Sequence, residues 1–412
     1  MLESFVQFVQ RSPTVYHAAR EIGARLAEAD FTPLEEGEKW KLEPGKGYFV
    51  EREETLVAAF RLPRKKAESA IILASHTDSP ALKIKPQPEI SSHGIGLFGT
   101  EPYGAPLLHT WVDRDLAIAG RILVDNGESK VVFLDDYPVL IPGLAIHLNR
   151  DINEKGLILN KQDHMKAVFT IRSKEKHLED WLKKHHSFHE LLNFDLFLVP
   201  TEKPAFLGFE DELISAYRLD NLTSAHACLE ALVQSKAQEH VLQMALFWDH
   251  EEIGSKTYTG ADSLFADQLL ERICSCSRED FFRLKSKSLS ISCDVGHGLH
   301  PNYTEKYDLQ NATFLGRGPA LKFSSRYATT GATAAPIVRL AKKHKIPLQN
   351  AAGRSDIPSG STVGSMMGAT LGIPTVDLGV SCWAMHSIRE TIAAKDQIHL
   401  FELLKAALNE PL

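Results

Sequence analysis

Short apolar runs that stop abruptly at an acid or a histidine punctuate the two ends of this chain. Residues 70–74 are closed by Ser75-His76-Thr77-Asp78, and Val241–Trp248 by Asp249-His250-Glu251-Glu252. The alternating run Leu289–Cys293 stops at Asp294, and residues 375–380 lead through a short loop to His386. Runs of this length predict buried strands, and in open α/β sheets ligand sites gather at the C-terminal edge of the strands. Helices are predicted between them. Leu222, Ala225, Leu229 and Leu232 keep helical spacing, as do Ile398, Phe401, Leu404 and Leu408, and residues 21–30 predict a helix near the N-terminus.

The middle of the chain has a different rhythm. Ile122-Leu123-Val124 and Val131-Val132-Phe133-Leu134 flank Asp125-Asn126-Gly127-Glu128, a hairpin signal in which Asn-Gly supplies the positive-φ positions. β-like runs follow at 144–148, 168–171 and 196–199, with one charged, His-rich helix predicted over 175–192. A β-rich block between two α/β segments predicts an inserted domain over 87–203, marked by Pro86 and Pro204. The catalytic domain around it is then discontinuous, residues 1–86 and 204–412.

Composition removes several classes of function. At 412 residues, 43% hydrophobic and 24% charged, the chain suits a folded protein of two or three domains. Lys+Arg 46 against Asp+Glu 53 leaves a net charge of −7, without the electrostatic footprint of a phosphate-backbone binder, so no nucleic-acid partner is expected. Five cysteines, an odd number with no C-x-x-C pair, argue against a disulfide framework or a thiolate zinc site and for a reducing compartment. Glu3, Gln7 and Gln10 interrupt the N-terminus, and no run of about 18 apolar residues occurs elsewhere. No membrane partner is expected, and the expected location is cytoplasmic.

A hydrolytic metal site needs carboxylates of two kinds, one to bind metal and one free to move a proton. Adjacent on irregular chain, Glu251 and Glu252 can divide those roles. His76-x-Asp78 sets an imidazole beside a carboxylate, and zinc takes imidazole nitrogen and carboxylate oxygen where thiolates are absent. With Asp220, Asp294 and His386 the candidate ligands become two histidines (His76, His386) and three carboxylates (Asp220, Glu252, Asp294), enough for two metals if one carboxylate bridges. Singly, each position has an ordinary reading: an N-cap for Asp220, a turn for Asp294, a capping box from Ser387 to Glu390 after His386. No G-x-S-x-G elbow, cysteine-nucleophile signature or phosphate-binding G-x-x-x-x-G-K-[ST] competes with the metal reading.

Several longer segments carry a resemblance. Ser75-His76-Thr77-Asp78-Ser79-Pro80, Arg218-Leu219-Asp220-Asn221, Asp249-His250-Glu251-Glu252-Ile253-Gly254-Ser255, Asp294-Val295-Gly296-His297 and Ala384-Met385-His386-Ser387-Ile388-Arg389-Glu390 resemble the aspartyl aminopeptidases in order and along nearly the whole chain. The resemblance implies a zinc-exopeptidase-like α/β/α catalytic domain with an inserted β-rich dimerisation domain. It implies two Zn2+ per subunit, with Co2+ or Mn2+ as substitutes. The ligands would be His76, Asp220, Glu252, Asp294 and His386, with Asp220 bridging, Glu251 as general base and Asp78 supporting His76. It also implies dimers assembling into a dodecamer, in which His147 reaches from one subunit into its neighbour's site. As a strand residue, His147 would face away from Ile146 and Leu148. Tyr103-Gly104-Ala105 departs from a more usual glycine pair, Ser359 from a common cysteine, and the residues before Arg326-Tyr327 from the family pattern.

The expected activity is removal of N-terminal Asp or Glu from peptides by metal-activated water. Lys322, Arg326 and Arg354 are the candidate cations for the acidic side chain. Two readings stand beside it: a neutral aminopeptidase or amide deacylase on the same scaffold, and a non-catalytic metal-binding assembly protein. The unliganded Glu251 argues against the latter, because a structural metal site has no use for it.

Overall fold

The computed structural model describes residues 1–172 and 177–410. Four parallel strands form its centre, in the order Val241–Trp248, Ser69–His76, Leu289–Cys293 and Thr375–Gly379. Antiparallel neighbours flank them: Leu56–Arg61 on one side and Ala320–Lys322 on the other. Gly47–Arg52 and Phe31–Pro33 extend the first side and Gln349–Ala351 the second, completing a nine-stranded sheet.

Both faces of this sheet are covered, which is why its strands read as continuous apolar runs. Ile71, Leu73, Ala245, Phe247 and Ile291 pack with the helices Leu2–Arg11, Val15–Glu28, Leu219–Val233, Gly331–His344 and Ala394–Asn409. On the other face Ile72, Ala74, Met244 and Leu246 pack with Phe265–Cys274, Arg278–Ser286 and Val363–Leu371. The serines of Leu289–Cys293 fall on that second face. There a Cβ on Gly364 would stand 2.6 Å from the Ser292 Cβ, so only small residues admit the helix. The expected α/β/α architecture is the one observed.

A six-stranded antiparallel sheet takes all its strands from the middle of the chain. Its order is Glu128–Val139, Leu116–Val124, Leu191–Pro200, Ala81–Ser92, Ile95–Tyr103 and Ala167–Thr170. Its own core includes Trp111, Ile118, Leu134, Leu196 and Leu198. Pro86 lies inside the strand Ala81–Ser92, where the register slips between Ile84 and Glu89. A proline lacks the N–H that a regular ladder needs and so settles at such an irregularity, here within the sheet and not ahead of it.

Three local expectations are corrected. In the hairpin the positive φ falls on Asp125 and Gly127, not on Asn126, because Val124 pairs with Glu128 across a three-residue turn. Residues 144–148 contain no strand: Ile146–Leu148 is a 3-10 turn, and Leu144, Ile146 and Leu148 are all exposed. His147 therefore does not sit on a strand face opposite Ile146 and Leu148, since no sheet exists there to hide its neighbours. The charged helix spans His177–His185 before the chain turns into Leu191–Pro200, and residues 175 and 176 lie outside the described residues.

A third, five-stranded sheet carries on from the first, with Gly296–His297 following Leu289–Cys293 and Ser381–Trp383 following Thr375–Gly379. Its order is Ala205–Leu207, Leu213–Ala216, Glu390–Ala393, Ser381–Trp383 and Gly296–His297.

Candidate metal centre

The C-terminal ends of the central strands converge on one cluster. His76 ends its strand, Glu251 and Glu252 follow Val241–Trp248 in a 3-10 turn, and Asp294 follows Leu289–Cys293. Asp220 stands at the head of Leu219–Val233, with non-helical backbone and a cis Asp220–Asn221 peptide. His386 sits in the turn between Ser381–Trp383 and Glu390–Ala393.

Two triads result, and they share one residue. His76 Nε2 lies 3.4 Å from Asp220 Oδ1 and 3.6 Å from Asp294 Oδ1. His386 Nε2 lies 3.4 Å from Asp220 Oδ2 and 3.5 Å from Glu252 Oε2. These separations are long for hydrogen bonds but suit a shared cation, because zinc ligands about 2.1 Å from a tetrahedral centre stand about 3.4 Å from one another. The buried Asp220 Oδ1 and Glu252 Oε1 make no hydrogen bond among the described residues. Five carboxylates (Asp78, Asp220, Glu251, Glu252 and Asp294) gather around two imidazoles and Lys322, a buried excess of negative charge that bound cations would neutralise. The donor set is nitrogen and oxygen only, as zinc accepts.

The supports are as specific as the triads. Asp78, 2% exposed, accepts the backbone N–H of Glu251 through Oδ1 and that of Glu252 through Oδ2, each at 3.1 Å. Its Oδ1 is 3.4 Å from His76 Nδ1, and Tyr103 Oη donates to Oδ2 at 2.7 Å. Asp294 is held by its N–H to the Leu378 carbonyl at 2.9 Å, and Gly379 permits that approach: a Cβ there would fall 1.7 Å from the Asp294 oxygen. Burial, reinforced by the Asp294, Asp78 and Asp220 carboxylates and opposed by His76, pushes Glu251 up to about 8. A carboxyl poised near neutral pH can both take and give a proton.

Three supporting residues carried no role in the sequence reading. Glu390 accepts the Asp220 N–H at 2.9 Å and the His386 N–H at 2.7 Å, bracing one residue of each triad, and burial with Asp220 pushes it up to about 8. Arg218 donates to the carbonyls of Ser12 and Thr77, tying the N-terminal helices to the strand end that bears His76. Tyr103 is the third. Their signal in sequence is only a polar residue beside a motif, and long-range partners are invisible there.

Lys322, 4% exposed, stands 3.5 Å from Asp294 Oδ2 and donates to the Val295 carbonyl at 2.7 Å. With His297, Tyr327 and Arg354 it lines a cavity of about 350 Å³ beside the triads. Arg354 is forked onto Asp356 at 2.9 and 2.7 Å. Arg326 is exposed and does not line the cavity. His147, on its exposed 3-10 turn, makes no hydrogen bond or ion pair with either triad of its own chain among the described residues.

A mixed sheet covered on both faces, with two histidine–carboxylate triads sharing Asp220 at the ends of its parallel strands, has the architecture of a zinc-exopeptidase-class metallohydrolase. The family profile described as "Aminopeptidase I zinc metalloprotease (M18)" matches residues 8–407. A probable M18 family aminopeptidase 2 of Pseudomonas savastanoi pv. phaseolicola is 37% identical over 416 residues, covering 97% of this chain and 96% of the relative. One from Clostridium novyi is 37% identical over 423 residues, covering 98% and 97%. Among solved structures, the cryo-EM structure of the Ape4 and Nbr1 complex superposes with a TM-score of 0.94 at 32% identity, covering 99% of this chain and 85% of that one. The S. cerevisiae mApe1 dodecamer gives 0.85 at 25% identity, covering 98% and 95%. The chain belongs to the M18 family of zinc aminopeptidases and is a hydrolase of peptide bonds. No helix of the described residues is long and apolar enough to cross a membrane.

Proposed function

We propose that this aminopeptidase binds two zinc ions and removes N-terminal Asp or Glu from peptides. The single observation that carries the metal assignment is the sharing of Asp220 between the two triads at ligand-like spacing. His76 and Asp294 would hold one ion, Glu252 and His386 the other, with Asp220 common to both. When bound, zinc supplies Lewis acidity and lowers the pKa of water towards about 7. Glu251, which belongs to neither triad, takes the proton of the attacking water and delivers it to the leaving amine. The Asp78 carboxylate keeps the Glu251 backbone in register for that transfer, and its main-chain carbonyl, 3.1 Å from His76 Nδ1, orients the ring.

The preference for an acidic first residue rests on Lys322. Its ammonium has three donors, of which Val295 takes one and Asp294 lies near another, leaving one for a ligand in the cavity. Arg354 contributes field more than hydrogen bonds, because Asp356 occupies its fork. The middle block is a dimerisation domain in this reading, and dimers assemble further, as in the mApe1 dodecamer. The exposed Leu144, Ile146 and Leu148 around His147 favour a covered surface there.

Hydrolysis of Asp-, Glu-, Leu- and Ala-arylamides and of acylated amino acids by the zinc-loaded protein tests the specificity. Faster turnover of Leu or acyl substrates would favour a neutral aminopeptidase or a deacylase. Asp220→Ala tests the shared ligand: both zinc ions should be lost, and retention of two would reject the bridge.

A further inference from the structure

We propose that the segment from Tyr103 to Leu107, contributed by the middle block, is the positioning element of the Glu252–His386 zinc site. This rests on the ligand set proposed above. Tyr103 Oη donates to Asp78 Oδ2, the oxygen that also accepts the Glu252 N–H. Gly104, at φ +68, lies directly on Glu252: a Cβ built there would stand 3.1 Å from the Glu252 Cβ and 3.5 Å from Oε2. The Ala105 carbonyl is 3.1 Å from His386 Nδ1, and accepting a hydrogen bond from an Nδ1–H there leaves Nε2 to face Asp220 and Glu252. The Leu107 N–H donates to the His386 carbonyl at 3.0 Å.

His386 needs such support. Its backbone has φ +67, a left-handed conformation that a residue with a Cβ keeps only where its surroundings fix it. The segment's clasp supplies two of those constraints and Glu390 a third. The other site is held differently. His76 ends a strand paired with Trp248, and Asp294 hangs from Leu378, both within the nine-stranded sheet. Two zinc sites that share a carboxylate are thus anchored by different parts of the molecule. Glu252 also follows a strand of the nine-stranded sheet, but it and His386 are additionally clasped by a loop of the middle block, so the second ion's affinity is coupled to how that block sits.

Groups that orient a metal ligand typically change affinity by about 10–100-fold when removed. Gly104→Ala in the full-length protein adds a methyl at a positive φ and presses on Glu252. Zinc titration of the metal-stripped protein against a chromophoric chelator should then show one of two ions weakened by about 10–100-fold and the other unchanged. Tyr103→Phe, which removes only a hydroxyl, should weaken the same ion by a smaller factor and carries the test if Gly104→Ala does not fold. Gly127→Ala is the control, since it strains a φ of +91 in a turn of the same block with nothing near its Cβ. It should leave both affinities as in wild type. Two unchanged affinities in Gly104→Ala and Tyr103→Phe would overturn the proposal, as would equal weakening of both ions. Wild-type protein that binds fewer than two zinc ions would overturn the ligand set, and this inference with it.

Discussion

Asp78 Oδ1 accepts the backbone N–H of Glu251 at 3.1 Å. Because its Oδ2 accepts from Tyr103 and Glu252, an amide in its place can satisfy only one side. Asp78→Asn should therefore keep the fold and most of the metal while losing about 10–100-fold in rate. Zinc stoichiometry and kcat measured on the same preparation check this. Wild-type kinetics in Asp78→Ala would reduce Asp78 to a structural turn.

Glu251→Gln should retain both zinc ions, because neither triad contains Glu251. Loss of a positioned general base typically costs about 10²–10⁴-fold, and kcat should fall by that order. Full turnover in a metal-replete Glu251→Gln protein would require another base.

Lys322→Met keeps an apolar stem and removes the charge. A charge-assisted hydrogen bond is worth about 1.5–3 kcal/mol, so kcat/KM on Asp and Glu substrates should drop roughly 10–100-fold. Ala substrates should be spared. Arg326→Ala, outside the cavity, should affect neither class. Equal loss on both classes in Lys322→Met would mean that the lysine serves Asp294 and not the substrate.

His147→Ala tests action across an interface. An imidazole N–H reaching into the neighbour's site would stabilise the oxyanion formed when water attacks, so the variant should be folded, zinc-loaded and oligomeric but slower by about 10²–10³-fold. Mixing it with Glu251→Gln protomers should restore part of the activity, because one mixed site has both residues intact. Mixed oligomers without recovered turnover would place His147 outside the chemistry.

His17 is one contributor to the acid sensitivity of the fold. Burial, with Arg218 and Arg20, lowers its pKa from 6.5 to about 3. The unfolded chain therefore binds the proton more readily, and the contribution to stability is present above pH 6.5 and is lost as pH falls from there towards 3. Melting temperatures between pH 7.5 and 5 should fall less steeply in His17→Gln than in wild type. Parallel slopes would show that His17 does not carry this dependence.

The strands and acids of the catalytic sheet were legible in sequence because burial on both faces leaves an unbroken apolar run, and the site residues sit where each run stops. His76, Glu252 and Asp294 could be placed at strand ends on that ground alone. The strand expected over 144–148 misled because that run is apolar yet exposed, and periodicity records hydrophobicity without saying what covers it. Pro86 misled in the opposite sense, reading as a boundary while lying at an irregular point inside a strand. Only the tertiary structure brought Asp220 between His76 and His386, and only it set Glu390 beneath Asp220 and His386 and Tyr103–Leu107 against Glu252 and His386. Local pattern determines which residues are buried and which end a strand. Contacts between residues hundreds of positions apart depend on how whole sheets stack, and a pattern read along one dimension does not contain that.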